Sequence, residues 1–394
     1  MKYAAITDRL AELGSAKWEI HYEARALAAA GVKLIALTIG EPDVPPPPAL
    51  LAAATAALMA GRLGYSSGRG EPALLGALAA RYSRRCGRRI GTDQILALPG
   101  TQAALYASFQ AIVGPGDEVL VGDPMYATYE GVLRATGASV VTVPLRPEHG
   151  FRLQAADLAA AVTPRTRAIL LNTPHNPTGA VLTRHELRAI GEVARTHDLW
   201  IVSDEVYEEL IFAGGSFHSP LDEADLAERV VVVASISKSH AAPGFRSGWC
   251  VGPAEFTARL LPVAETMLFG NQPFIADMTA LAVSAPSTVA PGMAERFARR
   301  AGMVVQMLDG NRLRVHMPQA GMFALVDVRA TGLSGVAFAR RLLDEERVAV
   351  MPGESFGQSL AGWLRLCLTQ SDDDIAEACR RMAAFAARVM EHRG

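Results

Sequence analysis

Four short polar runs each follow directly on a run of apolar residues. Leu98 leads into Pro99-Gly100-Thr101-Gln102, and Leu171 into Asn172-Thr-Pro-His-Asn-Pro-Thr-Gly179. Val202 leads into Ser203-Asp204-Glu205, and Ala234 into Ser235-Ile-Ser-Lys238. Lys238 lies three residues past an apolar run, amid small neighbours. Desolvation and a nearby cation such as Arg246 lower an amine's proton affinity there and make it a Schiff-base nucleophile. The same position also suits a lysine reaching solvent from a loop. Asp204 is either a helix cap or an acid facing a heteroaromatic nitrogen. Gly100-Thr101 opens a helical run whose free amides and dipole can seat a phosphate, although such a turn is also a common linker. Ser235, Ser237 and Arg246 add donors, the guanidinium being suited to bidentate phosphate contact. Each is equally a solvated loop residue.

The elements that must position these groups follow from the pattern around them. Ile95 to Leu98, Glu118 to Val121, Ser139 to Val143, Ala168 to Asn172, Trp200 to Asp204 and Val230 to Ser235 are short apolar runs separated by stretches of helical period. That alternation predicts an α/β fold, a mainly parallel sheet with helices on both faces. In such sheets ligands bind outside the carboxyl ends of the strands, where the four polar runs fall. Thr183-Arg-His-Glu186 is a capping box for a helix to about His197, and Ser371-Asp-Asp-Asp374 caps a C-terminal helix. The proline run Pro45 to Pro48 reads as a stiff crossing between bodies. Ala285 to Gly292 reads as a second break before a helix near Met293 to Leu308, and Met322 to Val328 reads as strand. The expected division is a large domain over 46–288 and a smaller α+β domain built from 1–45 and 289–394.

Bulk properties exclude several functions. With 394 residues, two domains are the better expectation. Lys plus Arg number 38 against 40 acids, a net charge of −2, which lacks the electrostatic footprint of a nucleic-acid or anionic-membrane binder. No apolar run approaches the roughly 20 residues of a membrane span. Charges at Lys2, Asp8, Arg9, Glu12 and Lys17 interrupt any secretory core, so a cytoplasmic protein is expected. Cys86, Cys250, Cys367 and Cys379 lack metal or disulfide spacing and read as reduced thiols. The expected partners are small molecules or a second copy of the chain.

Taken in order, the motifs resemble those of the fold type I, class I and II aminotransferases, across essentially the whole chain. They are Gly40-Glu-Pro-Asp43, Tyr65 followed by Gly70, Pro99-Gly-Thr101, Pro124-Met-Tyr-Ala-Thr-Tyr129, Asn176-Pro-Thr-Gly179, Asp204-Glu-Val-Tyr207, Ser235-Ile-Ser-Lys238, Gly244-Phe-Arg246 and Arg365. The resemblance implies a three-layer large domain of the pyridoxal-phosphate transferases and pyridoxal 5'-phosphate on Lys238. It implies Asp204 at the pyridine nitrogen, Tyr207 and Asn176 at the phenolic oxygen, and Tyr126 stacked on the ring. Gly100, Thr101, Ser235, Ser237 and Arg246 would hold the phosphate, with Tyr65 reaching across from the other subunit of a homodimer. Arg365, Asn176 and the Gly40 backbone would take the substrate's α-carboxylate. No metal is implied.

Two departures stand out, the first altering the lining near the cofactor and the second bearing on substrate. Ala242-Pro-Gly-Phe-Arg246 replaces the Met-Thr-Gly-Trp-Arg of many relatives, and Thr101 stands where related bacterial aspartate aminotransferases often place a lysine for a distal carboxylate. Stretches such as Trp18-Glu-Ile-His-Tyr22 and Ser237-Lys-Ser-His240 are similar to the arginine:pyruvate branch of the family, implying a basic or long polar donor and pyruvate as acceptor. Glu19 is then a candidate contact for a guanidinium group, or a solvated surface acid. A pyridoxal-phosphate β- or γ-lyase would share every cofactor residue. A ligand-sensing regulator fits worst, for want of a basic helix-turn-helix segment before residue 40.

Overall fold

The computed structural model describes residues 1–11, 13, 16–268, 270–310 and 313–392. Its strands form two sheets. β1 is Ile35–Leu37, β2 Ile95–Leu98, β3 Glu118–Asp123, β4 Ser139–Pro144, β5 Thr166–Asn172, β6 Trp200–Asp204, β7 Val230–Ser235 and β8 Gly248–Val251. β9 is Arg314–His316, β10 Phe323–Asp327, β11 Val348–Pro352 and β12 Trp363–Cys367.

The larger sheet runs β2-β8-β7-β6-β5-β3-β4 and is parallel except at β8, which is antiparallel to both neighbours. Its central strands are buried along their length, so Val230 to Ala234 is continuously apolar, as a sheet covered on both faces requires. Core residues pack on each face in separate clusters, one around Leu74, Ile201 and Val232, the other around Leu105, Val202 and Val233. β8 was not expected from the sequence. Gly248-Trp-Cys-Val251 is short and begins with glycine, and a Cβ on Gly248 would lie 2.7 Å from the Gly100 backbone. That glycine lets β8 slip beside the turn at Gly100.

The smaller sheet runs β1-β11-β12-β10-β9, with β1 parallel to β11 and the other pairings antiparallel. Its core is the cluster around Phe297, Leu325's neighbour Val326, Phe338 and Phe385. Thr183 and Glu186 form the expected reciprocal cap of the Arg184–Thr196 helix. Ser371 caps the Asp372–Glu391 helix by accepting the amide of Asp374.

Two breaks are shorter than the sequence predicts. Pro48 already opens the Pro48–Met59 helix, and Pro291 sits in the first turn of a helix that starts at Ala290 rather than near Met293. Proline's fixed φ suits a first turn, where its missing N–H goes unused. Among the described residues no helix is long and apolar enough to cross a membrane.

Candidate active site

The carboxyl ends of β5, β6 and β7 open onto a cavity of about 230 Å³ that the smaller sheet closes from the other side. Lys238 lines it, in the short Ile236–Ser239 helix that Ser235 caps by accepting the Ser237 amide. Its Nζ donates to the Gly40 carbonyl at 2.7 Å. Burial lowers its pKa to about 8, with Arg365 and Arg246 adding to the effect and Glu41 opposing it. The amine is therefore a nucleophile at mildly alkaline pH.

One wall fits a phosphate. Gly100 has φ +90° and its ideal Cβ would lie 2.3 Å from Arg246 Nη2, so only glycine lets the guanidinium approach the start of the Thr101–Ile112 helix. Arg246 itself has φ 50°, a left-handed conformation that costs a non-glycine residue on the order of 1 kcal/mol. Among the described residues its guanidinium meets the carbonyls of Pro243 (2.8 Å) and Pro99 (3.4 Å). Thr101 Oγ1 is buried with no partner among the described residues. Ser235 and Ser237 line the same side. An orphaned hydroxyl, a strained arginine and free helix amides are unmet demands that an anion would satisfy.

The opposite end fits a protonated ring nitrogen. Asp204 is 4% exposed, and burial raises its pKa to about 6 against hydrogen bonds from Tyr129 and the Val206 amide. Tyr129 donates to Oδ2 at 2.7 Å and the Val206 amide to Oδ1 at 3.2 Å. A buried carboxyl held half-neutral near pH 6 gains most from a cationic partner. Asn176 Nδ2 donates to the Tyr207 hydroxyl at 3.4 Å, and the Tyr126 ring lies edge-on to Tyr129 at 5.5 Å.

Arg365 comes from the smaller sheet. It is 1% exposed and stacked between Phe323 and Phe356, its guanidinium 4.1 and 4.3 Å from the ring centres. Burial lowers its pKa to about 10. Nη1 donates to Asn176 Oδ1 at 3.2 Å and Nη2 to the Thr38 carbonyl at 2.6 Å, while Nε is buried without a partner among the described residues. Gly40 lies against Phe323, where a Cβ would come within 2.3 Å of the ring.

The structure thus brings Gly40, Thr101, Tyr126, Asn176, Asp204, Tyr207, Ser235, Ser237, Lys238, Arg246 and Arg365 to one cavity, with Gly100 behind Arg246. Tyr65 is elsewhere in its own chain, 95% exposed beside Leu63 and Phe274. Glu19 is also absent from the cavity, since it is 61% exposed and pairs with Arg340 at 2.8 Å. The preceding residue, Trp18, lines the cavity instead. Sequence reasoning missed Tyr129 as the partner of Asp204. It also missed Asn172, whose Oδ1 accepts the Asn176 amide at 2.8 Å. Tyr129 was legible only as the last letter of a motif, because nothing local aims its hydroxyl at β6.

Residues 32–382 match the family described as aminotransferase class I and II. The chain belongs to that family. The arginine–pyruvate transaminase of Pseudomonas aeruginosa is 46% identical over 391 residues, 99% of each chain. An aspartate aminotransferase of Streptomyces avermitilis is 35% identical over 93% of each. Among solved structures, the aspartate aminotransferase of Thermus thermophilus with maleate superposes with a TM-score of 0.92 at 32% identity, covering 98% of this chain and 99% of that one. This aminotransferase is accordingly a pyridoxal-phosphate-dependent enzyme of fold type I.

Proposed function

We propose that this aminotransferase moves the amino group of a basic or long polar L-amino acid, arginine foremost, to pyruvate through a two-step, ping-pong cycle. The observation that carries the donor class is 46% identity over the whole chain to an arginine–pyruvate transaminase, joined to a neutral Thr101 in the cavity wall. Lys238, Arg246 and Arg365 are the cations lining the cavity among the described residues, and each already has a role. A donor with a distal carboxylate would find no second clamp.

The residues fit pyridoxal 5'-phosphate. Gly100, Thr101, Ser235, Ser237 and Arg246 would hold its phosphate, Asp204 its ring nitrogen, Tyr207 and Asn176 its phenolic oxygen, and Tyr126 its ring face. When bound, the cofactor supplies an electron sink for the pair released as the substrate's α-proton leaves. Lys238 is the amine that would join the cofactor's aldehyde and that, once free, would carry the proton from the substrate's α-carbon to the carbon on the far side of the nitrogen, two atoms away. Asp204 holds the ring nitrogen's proton in place. Arg365, with Asn176 and the Gly40 backbone, fixes the α-carboxylate and so points the α-hydrogen toward Lys238 Nζ.

Tyr65 would complete the phosphate site of a second copy. The exposed Leu58, Met59, Leu63, Tyr65, Met267 and Leu268 supply apolar surface for such a homodimer. The function is tested by mixing the purified protein with single amino acids and following the cofactor's absorbance in the first half-reaction. Arginine or another long basic donor should react fastest. Aspartate reacting fastest would overturn the donor class, and ammonia and pyruvate released without an oxo-acid acceptor would replace the transaminase with a lyase.

A further inference from the structure

Behind the cavity lies a second set of charges that the reaction does not use. Asp204 and Tyr207 face the cavity. Glu205, between them, and Glu208 and Glu209, directly after Tyr207, reach instead to Arg81 and Arg85, which lie four residues apart on the Pro72–Cys86 helix. Arg85 Nη1 donates to Glu205 Oε2 at 3.0 Å and Glu208 Oε2 at 2.9 Å, and its Nε to Asp222 at 3.1 Å. Arg81 Nη2 donates to Glu208 and Glu209, both at 2.8 Å. Glu205 has no exposed surface, and Ser219 donates to its other oxygen at 2.5 Å. Glu209 also accepts the Ser287 amide at 2.9 Å, and the Ser287 hydroxyl donates to the Ser239 carbonyl at 2.5 Å, one residue from Lys238.

Burial raises the Glu205 pKa to about 7 while Arg85 opposes it. An apolar pair of the same volume would hold the helix to the sheet about as well as this ion pair, so stability alone is a weak reason for it. What a fan of charge-assisted hydrogen bonds adds is direction. We propose that Arg85 and Glu205, supported by Arg81, are positioning residues for the transamination: they fix the turn after β6 so that Asp204 and Tyr207 stay aimed into the cavity. This rests on the reading of Asp204 and Tyr207 as cofactor contacts.

The test compares wild type, Glu205→Gln, Arg85→Met and the double variant, each as the full chain reconstituted with pyridoxal phosphate. Four quantities are read: apoprotein melting temperature, cofactor Kd by fluorescence titration, the pH midpoint of the bound cofactor's absorbance change, and kcat and KM separately. Each single variant should weaken cofactor binding and lower kcat about tenfold with KM within about twofold, and the double variant should lose little more than either. The absorbance midpoint should move upward, because a hydrogen bond from Tyr207 to the bound cofactor's anionic phenolic oxygen would hold it low and would be weakened in the variants. A lowered melting temperature with Kd, midpoint and kcat unchanged overturns the proposal. Should Arg85→Met not fold, the isosteric Glu205→Gln decides alone. A wild-type protein that binds no cofactor would instead overturn the reading of Asp204 and Tyr207, and this proposal with it.

Discussion

The larger sheet delivers its polar groups from strand ends, whereas the smaller sheet delivers Arg365 from the middle of β12, paired with Leu325 on one side and Met351 on the other. Asn172, Asp204 and Ser235 are the last ladder residues of β5, β6 and β7, and the chain leaves the sheet directly after them, so their side chains border the cavity that opens there. Arg365 sits in mid-strand, with ladder residues before and after it. It is pinned by two ladders and two phenyl rings, and its direction is settled before any ligand arrives. The larger sheet is built to receive a group that brings its own charges. The smaller one presents a fixed fork to a small carboxylate.

Removing the amine at the strand ends should have the largest effect. Lys238→Ala should lower turnover on the order of 10⁵-fold while the apoprotein keeps its fold, read by steady-state rates and circular dichroism. Turnover within tenfold of wild type would move the chemistry elsewhere. Next, Asp204→Ala should keep the cofactor bound yet slow α-proton abstraction about 10³-fold, measured as the isotope-sensitive rate with α-deuterated donor. If the contrast with the smaller sheet holds, Arg365→Lys should cost about 10²-fold in kcat/KM, mostly in KM, because a point charge cannot reproduce a stacked bidentate fork. A loss confined to kcat would contradict the assignment of Arg365 to ground-state carboxylate binding.

Tyr129→Phe should have a smaller effect, about tenfold or less in kcat, since the carboxyl of Asp204 keeps the Val206 amide. The smallest expected signal is a pH slope in the apoprotein. Lys238 has a folded pKa of about 8 against 10.5 unfolded, so between those values the unfolded chain holds a proton that the native one has lost. Stability from this group therefore rises with pH through that window, and below pH 8 the buried ammonium costs a constant amount. Lys238→Met should flatten that slope in denaturant titrations, and cofactor capture by wild type should rise with a midpoint near pH 8.

Much of this was legible because strand ends leave local signatures. An apolar run that stops abruptly at a polar residue marks both the strand and the place where a ligand can bind, which is how Asp204 and Lys238 could be picked out. β8 left no such mark, since four residues beginning with glycine carry no periodicity and its pairing with β2 and β7 is a long-range event. The helix start at Ala290 was hidden because Pro and Gly read as breakers locally, while the fold uses the proline in a first turn.

By itself the sequence determined six strands of the larger sheet, the residues at their ends and the family to which their spacing belongs, because those features depend on neighbours a few residues apart. Only the tertiary structure decided that Tyr129 donates to Asp204, that Glu19 turns outward to Arg340 while Trp18 turns in, and that Arg81 and Arg85 grip the turn after β6. Those contacts join residues far apart in the chain, and their directions are set by how buried charges are satisfied once the two sheets and their helices have packed.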